Sequence, residues 1–139
     1  MAIALEEYTQ AKQVIREFGV DGQTIKMALV ASTYTFSAAH TQFSQVSGDE
    51  VSGTGYTAGG EALTGVTVDG GGMIDSNNVV WSSATISGIR RAILYISGTL
   101  GGVVNPVLFS YLLDDTPADV SVSGSDLTLI INSLGIVKS

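Results

Sequence analysis

The first 18 residues have a helical spacing of apolar positions that the rest of the chain lacks. Apolar side chains recur there at steps of three and four, the spacing of one helix face. They are Leu5, Tyr8, Ala11, Val14, Ile15 and Phe18. Gly19 follows where a left-handed C-cap residue belongs. The pattern predicts an N-terminal α-helix over residues 1–18, either packed on its own domain or reaching a neighbouring subunit as an arm.

After this segment the apolar period changes to two, which is the spacing of β-strands. Residues 23–32 alternate, with Ile25, Met27 and Leu29 on one side and a fairly apolar opposite side, as in a central strand. Further strands are predicted at residues 62–68, 73–81, 89–97, 106–113, 119–123, 127–132 and 136–138. Turn residues separate them, among them Ser87-Gly88 and Ser123-Gly124-Ser125-Asp126. Together these patterns predict about eight strands.

Composition supports an all-β chain with one core. Gly, Ser and Thr make up a third of the 139 residues and are spread among β-branched apolar residues. A chain of this length buries enough surface for a single domain. We therefore predict an antiparallel β-sandwich, jelly-roll-like, over residues 19–139, with the helix of residues 1–18 closing it or extending as an arm.

Residues 33–53 form a stretch without periodicity. Tyr34, Phe36, Phe43 and Val46 are scattered there among polar residues, which predicts a long loop with one helical turn near residues 40–46. Loops of this length inside compact domains are usually functional or interfacial.

Charge and cysteine content exclude several classes of protein. The net charge of −7, from 13 acidic and 6 basic residues, argues against nucleic-acid partners and anionic membrane surfaces. The absence of Cys excludes a disulfide scaffold, a thiolate nucleophile and a Cys-containing zinc site. No apolar run is long enough to span a bilayer, and Glu6 and Glu7 stand where an export signal would be basic and then apolar.

Candidate chemistry is sparse. Residues 53–60, GTGYTAGG, superficially match a dinucleotide fingerprint, but a strand is predicted after them where that site needs a helix. We expect instead a chain that turns sharply and approaches another backbone closely. His40 is the only histidine, and the acidic groups match no calcium loop. We predict no catalytic residue, no cofactor and no metal site.

Two side-chain sets leave alternatives open. Five aromatic residues form either a carbohydrate-binding platform or parts of the core and interfaces, and the apolar neighbours of Trp81 and Tyr95 favour core positions. The five are Tyr34, Tyr56, Trp81, Tyr95 and Tyr111. Arg90 and Arg91 point to opposite faces of an apolar strand, so at least one is expected to meet a carboxylate, within the fold or across an interface.

Several segments resemble a family of small structural proteins encoded among the virion genes of tailed bacteriophages. The resemblance is carried by TIKMALV at residues 24–30, EVSGTGYTAGG at 50–60, VVWSSATI at 79–86 and AILY at 92–95, in that order. It covers roughly residues 10–113 and implies a place in a virus particle. It transfers no enzymatic residues.

The resemblance and the acidic, β-rich profile together favour a capsid decoration, or cement, protein on the outer surface of the head. The expected partner is the major capsid protein, bound through the N-terminal helix and residues 33–60, and the chain itself is expected to form a homo-oligomer, a trimer or a dimer. The interface candidates are Leu5, Tyr8, Val14, Ile15, Phe36, Phe43, Tyr56, Arg90 and Arg91. The alternatives are a tail, collar or fibre-attachment component and a carbohydrate-binding sandwich.

Overall fold

A computed structural model describes residues 4–8, 24–64, 67–68, 74–75, 79–100, 102–112, 120–132 and 135–138. In these ranges the chain forms twelve β-strands, and two short 3₁₀ turns at Phe43–Gln45 and Ser47–Asp49. The strands are β1 Ala4–Glu7, β2 Ile25–Ala31, β3 Gly53–Thr54, β4 Glu61–Ala62, β5 Thr67–Val68, β6 Ile74–Asp75, β7 Val79–Ile96, β8 Thr99–Leu100, β9 Val103–Val104, β10 Val107–Leu112, β11 Val120–Asn132 and β12 Gly135–Lys138. The all-β prediction is confirmed.

The 18-residue strand β7 organises the sheet. Arg91 pairs with Val30 of β2 on one side and with Leu112 of β10 on the other. Ile89 pairs with β2 as well, and its opposite partner is Val120 of β11. Strands β10 and β11 therefore follow one another along one edge of β7, while β2 and then β3 follow one another along the other edge.

Antiparallel additions complete an eight-stranded sheet. Strand β1 pairs with β10, β12 with β11, and β4 with β2. Strands β5 and β6 form a separate two-stranded ribbon, and so do β8 and β9. The described strands thus form one large sheet and two small ribbons, and the two-layer jelly-roll-like sandwich stays a prediction.

The hydrophobic core lies along β7 and its neighbour β2. The first half of β7 alternates, with Trp81, Ala84, Ile86 and Ile89 buried and the residues between them largely exposed. In its second half residues 92–96 are all buried, as are residues 27–30 of β2. Consecutive buried residues mean that both faces of these two strand segments are covered. Since burying one large apolar side chain contributes about 1.5–3 kcal/mol, these segments supply most of the apolar stabilisation of the sheet.

The N-terminal helix prediction is wrong for residues 4–7, which form β1. Ala4 pairs with Leu112 and Glu7 with Phe109, so β10 supplies the backbone hydrogen bonds that a short isolated helix could hardly keep in water. Because β1 belongs to the main sheet, the predicted division at residue 18 does not hold for residues 4–8. The rest of the predicted helix, with Val14 and Ile15, lies outside the described residues.

Two predicted turns are also wrong, because they lie inside long strands. Ser87-Gly88 falls within β7 and residues 123–126 within β11, where the pairing register shifts. Side-chain oxygens accept hydrogen bonds from the backbone N–H groups at these irregularities. The N–H of Gly88 donates to Ser121 Oγ at 3.3 Å, and that of Gly124 to Thr85 Oγ1 at 3.0 Å. The glycines therefore mark bulges, which keep the strand running with a local kink.

Candidate functional site

The long loop, residues 33–60, lies against the sheet and is held there by backbone hydrogen bonds. The N–H of Val51 donates to the carbonyl of Leu29 in β2 at 3.0 Å. The N–H of Phe43 donates to Asn105 O at 2.9 Å, and that of Val107 to Thr41 O at 3.1 Å. The predicted loop with a helical turn near residues 40–46 is confirmed, because a 3₁₀ turn spans Phe43–Gln45.

A second set of ties centres on the Glu50 carboxylate, and we call it the Glu50 cluster: Glu50, Tyr56, Gly59 and Tyr95. The Tyr56 hydroxyl donates to Glu50 Oε2, and the Gly59 N–H donates to the same oxygen at 2.7 Å. The Tyr95 hydroxyl donates to the Gly59 carbonyl at 2.6 Å, and the Leu29 N–H donates to the Tyr56 oxygen at 3.0 Å. One carboxylate therefore fastens the Gly-rich half of the loop, and the two tyrosines link it to β2 and β7.

Apolar contacts reinforce these hydrogen bonds. The rings of Phe43 and Tyr95 stack with centroids 4.0 Å apart and planes 7° from parallel. Phe43, Tyr34, Val46 and Val51 are all buried in the core cluster. The long loop thus contributes its large side chains to the interior, which explains how a stretch without secondary-structure periodicity stays ordered.

The environment of the Glu50 cluster keeps both phenols protonated. Burial and, as the smaller cause, the negative charge of Glu50 together raise the pKa of Tyr95 to about 12. Burial also raises the pKa of Tyr56 far above its ordinary value of 10.0, with the hydrogen bond to Glu50 as the next cause. At neutral pH both hydroxyls are therefore fixed donors, which suits them to holding a loop in place.

Tyr8, Tyr34 and His40 form a third tie between the end of β1 and the loop. The hydroxyl oxygens of Tyr8 and Tyr34 lie 2.7 Å apart, and Tyr34 Oη lies 2.9 Å from His40 Nδ1. The ring of Phe36 packs on Tyr8 at 5.0 Å, and an Arg91 guanidinium nitrogen donates to the Tyr34 carbonyl at 3.1 Å. Tyr8 and Tyr34 are buried, so this chain of polar groups joins elements inside the protein.

The Gly-rich segment 53–60 confirms the expected close approach to other backbones. A Cβ added at Gly60, whose φ is +81°, would lie 1.8 Å from the carbonyl oxygen of Met27 in β2. One added at Gly53 would lie 2.2 Å from the carbonyl oxygen of Thr85 in β7. The chain continues directly into β4 after Gly60, so the helix of a dinucleotide site does not follow.

The interface candidates divide into inward and outward groups. Tyr8 and Phe43 are buried within this chain, where their rings pack against the long loop and the sheet, and their role in an interface stays a prediction. Phe36, Tyr56, Arg90 and Arg91 are partly exposed. Leu5 lies in β1 and pairs with Tyr111, while Val14 and Ile15 lie outside the described residues.

The aromatic platform does not assemble on the surface of the described part of the chain. Trp81 is 1% exposed and Tyr95 4%, which confirms the core positions expected for both, and Tyr34 is buried as well. Tyr56 is half-buried with its hydroxyl bound to Glu50. Trp81, Tyr95 and Tyr34 therefore offer no open ring face on which a sugar could stack, and the side chain of Tyr111 lies outside the described part of the chain.

The outward surface of the long loop is made only of small or uncharged residues. Every exposed position from 33 to 60 is Ser, Thr, Ala, Gly or Gln, while Asp49 and Glu50 are half-buried.

The sequence analysis missed Glu50 as the residue that holds the long loop in place. Its position just before the Gly-rich segment was visible, but no spacing rule links one carboxylate to a glycine N–H nine residues later.

Comparison with models of protein families, with curated proteins and with solved structures finds no match to this chain. In the described ranges no three His, Asp or Glu side chains come close enough together to hold a metal ion. Over the same ranges no helix is long and apolar enough to cross a membrane.

Removing the Glu50 carboxylate is expected to loosen the long loop. Glu50→Ala loses two hydrogen bonds to a charged acceptor, so the free energy of unfolding should fall by about 2–3 kcal/mol. Glu50→Gln keeps one accepting oxygen and should lose only about half as much. Urea unfolding followed by the fluorescence of Trp81 measures both. Equal losses in the two variants would contradict the role assigned to this oxygen.

Proposed function

We propose that this protein is a structural component of a tailed-bacteriophage virion, specifically a capsid decoration protein. In this proposal it binds the outer surface of the head and stabilises contacts between subunits of the major capsid protein. It acts by binding, without chemical turnover. Two things support the proposal: the resemblance of residues 24–30, 50–60, 79–86 and 92–95 to small structural proteins encoded among tailed-bacteriophage virion genes, and the side chains that the long loop exposes.

The proposal depends mainly on one observation: which side chains of the long loop point towards the sheet and which point outward. The loop turns Tyr34, Phe43 and the Glu50 carboxylate inward, where they hold it against the sheet, while Phe36 and Tyr56 stay partly exposed. Its outward positions are small, so docking would immobilise few rotatable bonds. A preformed, small-residue, uncharged surface loses little conformational entropy on binding, and this is what a purely structural contact requires.

Mass action explains how such a contact would stabilise a shell. A ligand that binds the assembled state and not the dissociated subunits shifts the equilibrium towards assembly. A standard protein–protein interface buries roughly 1,600 Å² in total, and many copies repeat the gain over one particle. The proposed contact area is the outward surface of residues 33–60, which includes the partly exposed side chains Phe36 and Tyr56.

The jelly-roll-like sandwich is part of this proposal. Residues 92–96 of β7 and 27–30 of β2 are buried on both faces of the sheet, so each face needs a cover. The long loop supplies part of it. A second layer on the opposite face would complete a sandwich with one core.

Copy number tests the proposed location. Quantitative mass spectrometry of purified particles should find this chain at about one copy, or about one third of a copy, per major capsid subunit, as expected for a protein repeated with the shell. A ratio of a few per cent would contradict decoration and favour a tail, collar or fibre-attachment component. Absence from the particle would overturn the proposal.

A charged side chain on the long loop tests the contact surface. Ser44 is exposed in the first 3₁₀ turn, and Ser44→Arg should weaken binding to particles stripped of this protein by at least about tenfold, because a bulky cation replaces a small docking residue. Ser87→Arg is the matched control, since Ser87 is also exposed but lies on β7. Co-sedimentation with particles measures both. Equal binding by the two variants would contradict docking through the loop.

A further inference from the structure

Strand β1 and the following Tyr8 fill a slot along the edge of β10. Residues 4–7 pair with β10 in antiparallel register, with Ala4 opposite Leu112. The Tyr8 N–H continues this ladder by donating to the Leu108 carbonyl at 3.3 Å. The edge of β10 therefore accepts an extended segment through backbone hydrogen bonds, which is the mode of binding called strand addition.

One side chain fixes the position of this segment. Tyr8 is fully buried, its ring packs on Phe36 at 5.0 Å, and its hydroxyl oxygen lies 2.7 Å from that of Tyr34. Tyr34 Oη lies in turn 2.9 Å from His40 Nδ1. We call the edge of β10 together with Tyr34, Phe36 and His40 the β1 slot. Backbone pairing holds the strand in this slot, and the contacts of the tyrosine set its register.

The contacts described in the β1 slot do not depend on the covalent link between β1 and the rest of the chain. Tyr34 lies 26 residues from Tyr8 along the chain, and β10 lies much farther. The link runs through residues 9–23, which lie outside the described ranges. Fifteen extended residues span at most about 50 Å, whereas a domain of 139 residues has a radius of gyration of about 14 Å. The link is therefore long enough to place β1 in the slot of an adjacent copy.

We propose that β1 is exchangeable between copies of this protein, so that residues 4–8 of one copy fill the β1 slot of another when two copies are held close together. The contacts in the slot are the same in both cases. The choice between a copy's own β1 and its neighbour's therefore depends on concentration. For a connection of this length the effective concentration of a copy's own β1 is on the order of 1 mM. Exchange becomes frequent when the local concentration of other copies reaches the same range.

Exchange depends on the β1 slot and not on the small exposed residues of the long loop, so it goes beyond the proposed function. It needs only that copies stand close together, as they would on a repetitive surface. One neighbour within about 50 Å amounts to a local concentration of about 3 mM. Strand exchange then joins copies through contacts that each copy already makes with itself, without a new interface. The homo-oligomer expected from the sequence would thereby have a defined contact.

Cysteine trapping tests exchange in the full-length chain, which contains no Cys of its own. Glu6 lies opposite Ser110 in the register of β1 and β10, and opposed residues of antiparallel strands are close enough for a disulfide. Ser110 is fully buried, so a Cys at this position is reached by the strand that pairs with it and not by random collision. We expect a chain carrying Glu6→Cys to form a mixed disulfide with a separate chain carrying Ser110→Cys, in a yield that rises with protein concentration.

Two matched reactions calibrate this yield on non-reducing gels. The double variant Glu6→Cys/Ser110→Cys at micromolar concentration should close within one chain, which shows that the pair can form a disulfide. Glu6→Cys mixed with Ser82→Cys measures random collision, because Ser82 is exposed near the start of β7, where β11 and not β10 is the paired strand. At about 0.5 mM of each chain, the mixed disulfide with Ser110→Cys should exceed this background at least about fivefold.

A third variant tests the part played by the tyrosine. Adding Tyr8→Ala to the Glu6→Cys chain should lower the mixed yield at least about fivefold, because the shortened side chain leaves the slot to the other chain's own β1. Leu5→Cys with Tyr111→Cys is the neighbouring opposed pair, and it replaces the first pair if circular dichroism shows either variant to be unfolded.

Three outcomes would overturn the inference: a mixed disulfide that does not exceed the Ser82→Cys background, a yield that Tyr8→Ala leaves unchanged, or a double variant that fails to close within one chain. The last would show that β1 does not pair with β10 in this register. All these reactions use purified protein without particles. A failure of strand exchange is therefore distinguished from a failure of the decoration proposal, which particle binding and copy number test separately.

Discussion

Gly60→Ala is expected to lower the free energy of unfolding by more than about 4 kcal/mol, a loss at the extreme of single substitutions. The added methyl would lie 1.8 Å from the carbonyl oxygen of Met27 and 2.8 Å from the Cα of Ala28. Both are backbone atoms in the middle of β2, so no side chain can rotate away. Relief would require β2 or the end of the long loop to move, and either movement breaks the pairing of β2 with β4.

Gly102→Ala separates this clash from backbone strain. The φ angle of Gly102 is +82°, almost the same as the +81° of Gly60, but no atom outside its chain neighbours lies within 4 Å of a Cβ placed there. Its cost should be only the left-handed penalty of a non-glycine residue, about 1–2 kcal/mol. Urea unfolding gives both values. A Gly60→Ala protein as stable as Gly102→Ala would show that β2 and the loop are not held together this closely.

Alkaline pH should destabilise the protein steeply above pH 10. Tyr56 and Tyr95 have raised pKa values in the folded state, about 12 for Tyr95, while in the unfolded chain both ionise near 10. Below pH 10 both states hold these protons and stability is unaffected. From pH 10 to 12 the unfolded state releases them first, and stability falls by up to about 1.4 kcal/mol per pH unit for each tyrosine.

Urea unfolding at pH 9, 10, 11 and 12 measures this dependence. Tyr56→Phe removes one of the two groups, so its stability should decline about half as steeply above pH 10, although it begins lower at pH 9 because two hydrogen bonds are lost. The comparison uses the slope of the free energy of unfolding against pH in each protein, because their absolute stabilities already differ at pH 9. If stability fell with pH equally steeply in the wild type and in Tyr56→Phe, this would contradict the raised pKa of Tyr56.

The sequence predicted those features that depend on local chemistry. Strand β2 lies within the predicted residues 23–32, because the alternation of its side chains needs no knowledge of the partner strands. The close backbone approach at residues 53–60 was predictable for a similar reason, since four glycines in eight residues have few other uses. The burial of Trp81 and Tyr95 followed from their apolar neighbours.

The sequence failed where a distant strand decides the outcome. Leu5 and Tyr8 fit a helical spacing, but the backbone of β10 offers residues 4–7 a complete antiparallel partner. Gly88 and Gly124 have positive φ angles that serve a turn or a bulge equally well, and their partners Ser121 and Thr85 lie more than thirty residues away along the chain. Tertiary hydrogen bonding of this kind leaves no local signature.

The central position of β7 also has a consequence for the order of folding during synthesis. Strands β2, β3, β10 and β11 each pair with β7, and β1 reaches the sheet only through β10. A nascent chain that ends before residue 79 has little in the described sheet to pair with beyond β2 with β4. The apolar segment 25–31 therefore stays exposed to solvent until β7, Val79–Ile96, has left the ribosome. Slow, long-range pairing of this kind exposes a chain to aggregation, so production of the protein should benefit from holding chaperones that cover residues 25–31 until β7 has been synthesised.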